Sequence, residues 1–323
     1  MSPVIKEIAT ENAISSIVDL GAGQGYLSRT LAFKSGLKVL AVDSSTVQTC
    51  GAKRFDEIAA KHISKEDLDL HHVTEMITHE NASTILSKWS DNVQDEKWLL
   101  CGLHTCGDLS TMMLRLFITS AEITSLVNIG CCYHFLTDNE DANAAGFPMS
   151  DMVRDAGFYL SPPGKMLSCQ APFRWSDKKT ETLVAFEHHF FRALLQFIMV
   201  EKGLTTVSVA PVVGRLNKKK DFTSFPVYVK AALKRFKLTD DAISSEEAEE
   251  YYEKYKNKQI DKEITILWTL RVLLGPILES IILVDRWLYL HDTIPDSETK
   301  SVRMWPLFDP LLSPRNVIIA ANK

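Results

Sequence analysis

Two apolar runs joined by a glycine-rich turn constrain this chain more than any other feature. Ile17-Val-Asp-Leu leads into Gly21-Ala-Gly-Gln-Gly25, and a second run, Lys38-Val-Leu-Ala-Val, closes on Asp43. Glycine is needed where a backbone must turn tightly and approach a ligand with no Cβ in the way. The helix expected from about Tyr26 points its free N–H groups back at that turn. An acid ending the second strand is where an open α/β sheet binds ribose hydroxyls. The pattern predicts a parallel sheet with a nucleoside-type ligand at its carboxyl edge.

Glycine spacing separates the ligand classes. Nicotinamide-binding loops read G-x-G-x-x-G against a pyrophosphate, whereas this chain has D-x-G-x-G-x-G with Asp19 leading. That form resembles the first motif of S-adenosylmethionine-dependent methyltransferases. The resemblance implies that Gly21, Gly23 and Gly25 shape the loop, Asp19 lies near the methionine portion and Asp43 binds the ribose.

The rest of the chain is consistent with such a fold. Strands are expected at 17–20, 38–42, 68–74, 98–103 and 125–129, with helices at 26–34, 47–61, 81–89 and 109–119. This alternation implies a parallel sheet covered by helices on both faces. Regularity then stops. Helices are expected at 151–155, 187–202, 225–236 and 246–274, the last broken in two. Ser161-Pro-Pro-Gly reads as a turn, 211–214 as a loop, and 281–288 and 316–320 as two late strands. The expected division is a Rossmann-like core at 1–150, a mainly helical insertion or substrate lobe at 151–275, and C-terminal strands at 276–323. The last strand of the otherwise parallel sheet should run antiparallel, as in class I methyltransferases. The short stretch before Ile17 reads as lacking the cover that related enzymes place over the cofactor.

A net charge of −5 gives no global pull toward nucleic acid. Locally, Arg215 to Lys237 holds eight basic residues and one acid, and Ser244 to Glu263 holds seven acids and four lysines. Both read either as solvated helix faces or as a basic face that receives a phosphate-bearing substrate. No secretory signal opens the chain, and its six cysteines show no regular disulfide framework. A cytoplasmic or nuclear protein is expected. The apolar window 264–284 is interrupted by Arg271, Pro276 and Glu279, and reads as a buried helix followed by a strand, with no membrane contact.

A second cluster falls at the ends of strands four and five: Cys101-Gly-Leu-His-Thr-Cys-Gly-Asp108 and Asn128-Ile-Gly-Cys-Cys-Tyr-His134. Strand ends in an open α/β sheet line the ligand crevice. His104, Asp108, Cys131, Cys132, Tyr133 and His134 are therefore the expected acceptor-site residues, with Cys106 beside them. Three readings compete. Zinc suits Cys and His, but the usual C-x-x-C pairs are missing, so no metal is expected. A cysteine nucleophile activated by His104 or His134 is the second. The preferred third needs only in-line positioning and one base. His134 or His104 is then the base, Tyr133 packs against the acceptor, and the cysteines fill space. Asp108 also reads as a helix N-cap.

These two motifs together resemble the methyltransferase-like protein 25 family. The resemblance continues through Lys165-Met-Leu-Ser-Cys-Gln-Ala-Pro172, Arg174-Trp175, Asp285-Arg-Trp-Leu-Tyr-Leu290 and Leu307-Phe-Asp-Pro-Leu-Leu-Ser-Pro-Arg-Asn316. More distantly, the end of strand five is similar to tRNA 2′-O-methyltransferases carrying Cys-Cys-His-His there, although Tyr133 stands at the third position. The Asn-Leu-Pro-Tyr type motif of adenine dimethylases is replaced by Leu103-His-Thr-Cys. The resemblance implies S-adenosylmethionine as cofactor and makes RNA the first expected acceptor. A protein side chain, or a methyltransferase-fold scaffold without turnover, stands as the alternative. A nicotinamide oxidoreductase would require the glycine reading to fail.

Overall fold

The structure is a computed structural model that describes the whole chain except residues 61–68, 79, 90–95, 139–144 and 210–212. It divides into two compact units: residues 1–171 with 274–323, and residues 172–273.

The first unit is built on a seven-stranded sheet. Its strands are β1 (Ser16–Leu20), β2 (Lys38–Asp43), β3 (Leu70–Thr74), β4 (Trp98–Cys106), β5 (Ile123–Cys131), β6 (Ser301–Pro306) and β7 (Val317–Asn322). Their order is β3-β2-β1-β4-β5-β7-β6. β7 runs antiparallel to both its neighbours and the pairs from β3 to β5 are parallel, so the sheet is mostly parallel with its last strand reversed. All five residues of β1 are buried, as expected for a central strand covered on both faces.

One face carries α1 (Ser2–Glu11) and α2 (Tyr26–Arg29), which continues as a π-helical turn at Thr30–Lys34. Ile5, Ile8 and Leu31 pack there on Ile17, Val39 and Leu99. The stretch before β1 thus holds a helix seated on the sheet. The sequence between β2 and β5 adds α3 (Thr46–Ala59), α4 (Ala82–Ser87) and α5 (Asp108–Thr119). Ile85, Met113 and Phe117 cover the opposite face, together with Leu283 and Leu290. The strand order reverses between β1 and β4, and the crevice outside the carboxyl ends at such a point is where open α/β sheets bind ligands.

Several local expectations change. Ser161-Pro-Pro-Gly opens a helix, α6 being Asp151–Asp155 and α7 Pro162–Ser168. Ser161 Oγ accepts from the Gly164 N–H at 3.4 Å, and proline is welcome in a first turn because its missing N–H would have had no helical partner. Both helices belong to the sheet unit, so the helical insertion begins at Pro172, not at 151.

The second unit consists of α8 (Lys179–Glu201), α9 (Phe225–Phe236), α10 (Ser245–Asn257) and α11 (Ile260–Leu273). Its core is aromatic, with Phe190, Phe191, Phe225 and Tyr228 buried together. The loop expected at 211–214 lies partly outside the described residues.

The run Ile281–Leu288 is helical, inside α12 (Gly275–Thr293), and the strand that precedes β7 is Ser301–Pro306. β-branched residues gave 281–288 a local strand preference, which tertiary packing overrides. Two helical stretches, Lys179–Glu201 and Ile260–Thr293, are long and apolar enough to cross a membrane by length and composition. The helix read as buried is not so: Ile266, Leu267 and Leu270 on α11 are exposed.

Candidate active site

The loop after β1 is stitched to β2 before any ligand is considered. Gly21 and Ala22 donate their N–H groups to the Val42 carbonyl at 2.9 and 3.1 Å. Gly21, Gly23 and Gly25 all adopt left-handed φ values, +73°, +55° and +70°, which cost little only without a Cβ. A Cβ at Gly23 would meet nothing within 4 Å, so the apex of the turn faces open space. Asp43 Oδ2 accepts from the Gly23 N–H at 2.9 Å and its Oδ1 from the Ser45 N–H at 2.8 Å. Each oxygen keeps a lone pair for a further donor. An open glycine apex beside a fixed carboxylate fits a ribose and an amino-acid tail.

Asp19, in β1 before the loop, ties that strand to α2 after it. It is 2% exposed and accepts from Ser28 Oγ at 2.6 Å. Burial raises its carboxyl to about 6, against the lowering effects of Ser28, His72 and Cys101. A further brace was not anticipated. Arg29 donates to the Gln24 carbonyl at 2.6 Å and to Asp56 at 2.8 Å, and His72 Nε2 lies 2.7 Å from the other Asp56 oxygen. Burial pushes the Asp56 carboxyl up, but the hydrogen bonds from His72 and Arg29 outweigh it and hold the carboxyl below its usual range.

At the other side of the crevice, β4 and β5 end together. Their register slips between Leu103 and Thr105, and His104 sits in the slip with φ +60°. A bulge of this kind re-aims a side chain, and His104 is exposed. A buried network fixes the backbone around it: Asn128 donates to Thr105 Oγ1 at 2.9 Å and accepts from Ser110 Oγ at 2.7 Å.

Cys106 pairs with Cys131 across the strands, their sulfurs 3.3 Å apart, and Cys132 Sγ lies 3.6 Å from Cys131 Sγ. All three sulfurs fall within 4.8 Å of one another. Burial is the main cause that raises the thiols of Cys131 and Cys132 above their ordinary range. Exposed His134 places Nδ1 3.4 Å from Cys169 Sγ.

Two of the expected acceptor residues face elsewhere. Tyr133 is 1% exposed and its hydroxyl donates to Glu279 at 3.1 Å. The guanidiniums of Arg286 and Arg315 lie 5.4 and 5.8 Å from its ring centroid. Tyr133 therefore packs inside the sheet unit and not against an acceptor, because its ring fills the core with Leu136, Phe147, Leu160 and Ile282. Asp108 is not the N-cap of α5, which is Gly107; its carboxylate accepts from the Thr137 N–H at 3.0 Å.

Arg286, Arg315 and Glu279 were not singled out from the sequence, although both arginines fall inside the motifs quoted at 285–290 and 307–316. Arg315 pairs with Glu279 and donates to the carbonyls of Ser168, Cys169 and Gln170. It ties β7's approach loop to α7. A Cβ at Gly130 would collide with the Arg286 guanidinium and Ser110 Oγ, which explains glycine there.

Residues 1–139 match a family model described as a methyltransferase domain. The probable methyltransferase-like protein 25 of Homo sapiens is 26% identical over 454 residues, covering 100% of this chain and 73% of the relative. Its Mus musculus counterpart is 33% identical over 250 residues, covering 73% of this chain and 39% of the relative. Among solved structures, the magnesium protoporphyrin IX methyltransferase of Synechocystis PCC 6803 with bound SAM is 15% identical. It covers 50% of this chain and 68% of its own, with a TM-score of 0.29. An Agrobacterium tumefaciens SAM-dependent methyltransferase is 17% identical, covering 40% of this chain and 43% of its own, with a TM-score of 0.29.

Proposed function

Since the chain belongs to the methyltransferase-like protein 25 family of S-adenosylmethionine-dependent methyltransferases, we propose that its acceptor is RNA. S-adenosylmethionine, when bound, supplies a methyl group on a positively charged sulfur. The glycine loop and Asp43 would hold it, with Asp19 acting through the loop. His104, strained and exposed at the end of β4, would take the acceptor's proton. Methyl transfer otherwise asks only for in-line placement and exclusion of water.

The observation that carries the RNA reading is a basic hollow on the helical unit. Arg215, Lys218 and Arg235 line it with Leu216 and Asn217, enclosing about 520 Å³. Asn217 Oδ1 accepts from the N–H groups of Lys219 and Lys220 at 3.0 and 3.3 Å, holding the lysine run in a turn beside it. Guanidinium and ammonium groups gathered in this way suit phosphates, whose counterions are released on binding. The likeness of the β5 end to tRNA 2′-O-methyltransferases supports the same reading.

The test is binding of fluorescent RNA by anisotropy between about 50 and 200 mM salt. Affinity should fall steeply with salt. Reversing Lys218, Lys219 and Lys220 to Glu should weaken binding and flatten the salt slope by about three, with S-adenosylhomocysteine affinity unchanged. Radiolabelled methyl groups should appear in the RNA fraction of a cell extract. Salt-insensitive binding, or label found only in protein, would overturn the assignment.

A further inference from the structure

We propose that Cys106, Cys131 and Cys132 hold a zinc ion at the carboxyl edge of β4 and β5, with the fourth coordination position open to solvent. Thiolates bound to tetrahedral zinc at about 2.3 Å stand about 3.8 Å from one another. The three sulfurs lie within 4.8 Å of one another, two contacts being 3.3 and 3.6 Å. These distances bracket the spacing that zinc requires.

The ligands come from the ends of two hydrogen-bonded strands, a rigid base for a metal site. Cys132 takes φ +51° there, a conformation that a residue with a Cβ adopts only against a cost of about 1 kcal/mol or more. A space-filling role does not account for the group, because Cys106 is exposed and fills no core.

A second observation comes from the charge beneath the cluster. Arg286 is 1% exposed, and among the described residues none of its three guanidinium nitrogens has a hydrogen-bond partner. Asp285, its nearest sequence neighbour, is committed to the Met149 and Ser150 N–H groups at 2.8 Å each. Burial works against the Arg286 charge, and Tyr133, Asp285, Asp108 and Cys131 act electrostatically in its favour. On binding, the thiols lose their protons, and three thiolates around one Zn²⁺ carry a net charge of −1. That anion adds to the charges of Asp285 and Asp108 in favouring a buried guanidinium that makes no hydrogen bond.

Thiolates favour zinc over magnesium or calcium. Three protein ligands with an open fourth position is the arrangement of reactive zinc sites, whereas purely structural ones are closed. The metal site stands without the methyl-transfer reading; only its position beside the acceptor rests on it.

The experiment measures zinc in the reduced full-length chain purified without chelators, by elemental analysis and by competition with a chromophoric chelator. About one zinc per chain is expected, and Co²⁺ substitution should give the intense near-ultraviolet sulfur-to-cobalt band of a multi-thiolate site. Cys106→Ser and Cys132→Ser should each weaken zinc binding about tenfold or more, while Cys50→Ser, outside the cluster, retains it. Thermal unfolding checks that the variants fold, and S-adenosylhomocysteine binding by the variants separates metal loss from loss of the cofactor site. A folded wild-type chain that neither holds nor takes up zinc would overturn the proposal. So would a Cys106→Ser chain with wild-type zinc content, or a Cys106–Cys131 disulfide as the resting state.

Discussion

Asp19 makes the stability of this protein depend on pH in a way that can be worked from its surroundings. Its carboxyl is fully buried at the end of β1, and burial raises it from 3.8 to about 6. Between those two values the unfolded chain has already lost the proton that the folded chain keeps, so folding stability falls as pH rises. The contribution is intact below about 3.8, declines through about 6, and is gone above about 7. At about 1.4 kcal/mol per pK unit, the total is roughly 3 kcal/mol. Asp19→Asn removes the titration while leaving an amide oxygen to accept from Ser28. Urea unfolding of both proteins at intervals from pH 4 to 7.5 isolates the term as a difference curve. Wild type should lose about 3 kcal/mol relative to Asp19→Asn across that window, with its midpoint between the two values. A difference that stays constant within about 0.5 kcal/mol would show that Asp19 does not titrate in this range. The account of a protonatable carboxyl before the loop would then be wrong.

The other predictions concern the site itself. Asp43→Ala should weaken S-adenosylhomocysteine binding tenfold or more by calorimetry, about 1.5–3 kcal/mol, the scale of a charge-assisted hydrogen bond. His104→Gly relieves a left-handed strain of about 1–2 kcal/mol against about 0.5–1 kcal/mol of added chain entropy. Its denaturation midpoint should therefore match or slightly exceed wild type, while kcat on the proposed RNA acceptor falls about 10²- to 10⁴-fold. A variant destabilised by more than about 2 kcal/mol would make His104 structural. Tyr133→Phe breaks the bond to Glu279 and should cost about 1–2 kcal/mol of stability, with KM and kcat unchanged; a selective loss of kcat would return Tyr133 to the acceptor.

Much of the sheet could be read from the sequence because its strands are buried on both faces. Val39 to Val42 and Trp98 to Cys101 are apolar runs with nothing else to become, and Gly21 to Gly25 announces its turn by composition. The run at 281–288 misled because its β-branched residues pack equally well on a helix. What decides is Asp285, whose carboxylate ties Met149 and Ser150, a contact across more than a hundred residues that no local pattern carries. Tyr133 misled for a related reason. Its neighbours Cys132 and His134 are partly or fully open to solvent, and proximity in sequence suggested a shared role. A left-handed Cys132 followed by one short turn at Tyr133–Phe135 is what sends the ring inward.

The two sides of the crevice handle backbone strain differently, and that difference bears on where the chemistry lies. The loop after β1 places all three of its left-handed residues on glycine, so its shape is obtained at little cost. At the ends of β4 and β5 the same conformation falls on His104 and Cys132, where glycine would have been more comfortable. Asn128, Thr105 and Ser110 spend a buried hydrogen-bond network on holding that bulge in place. Neither residue fills the core in return, since His104 is exposed and Cys132 only half-buried. Strain retained where packing gains nothing is most simply explained by a need for the side chain itself. On that argument the strain at His104 and Cys132 marks the ends of β4 and β5, with His104 as the proposed base and Cys132 as a proposed metal ligand, as the edge to test first.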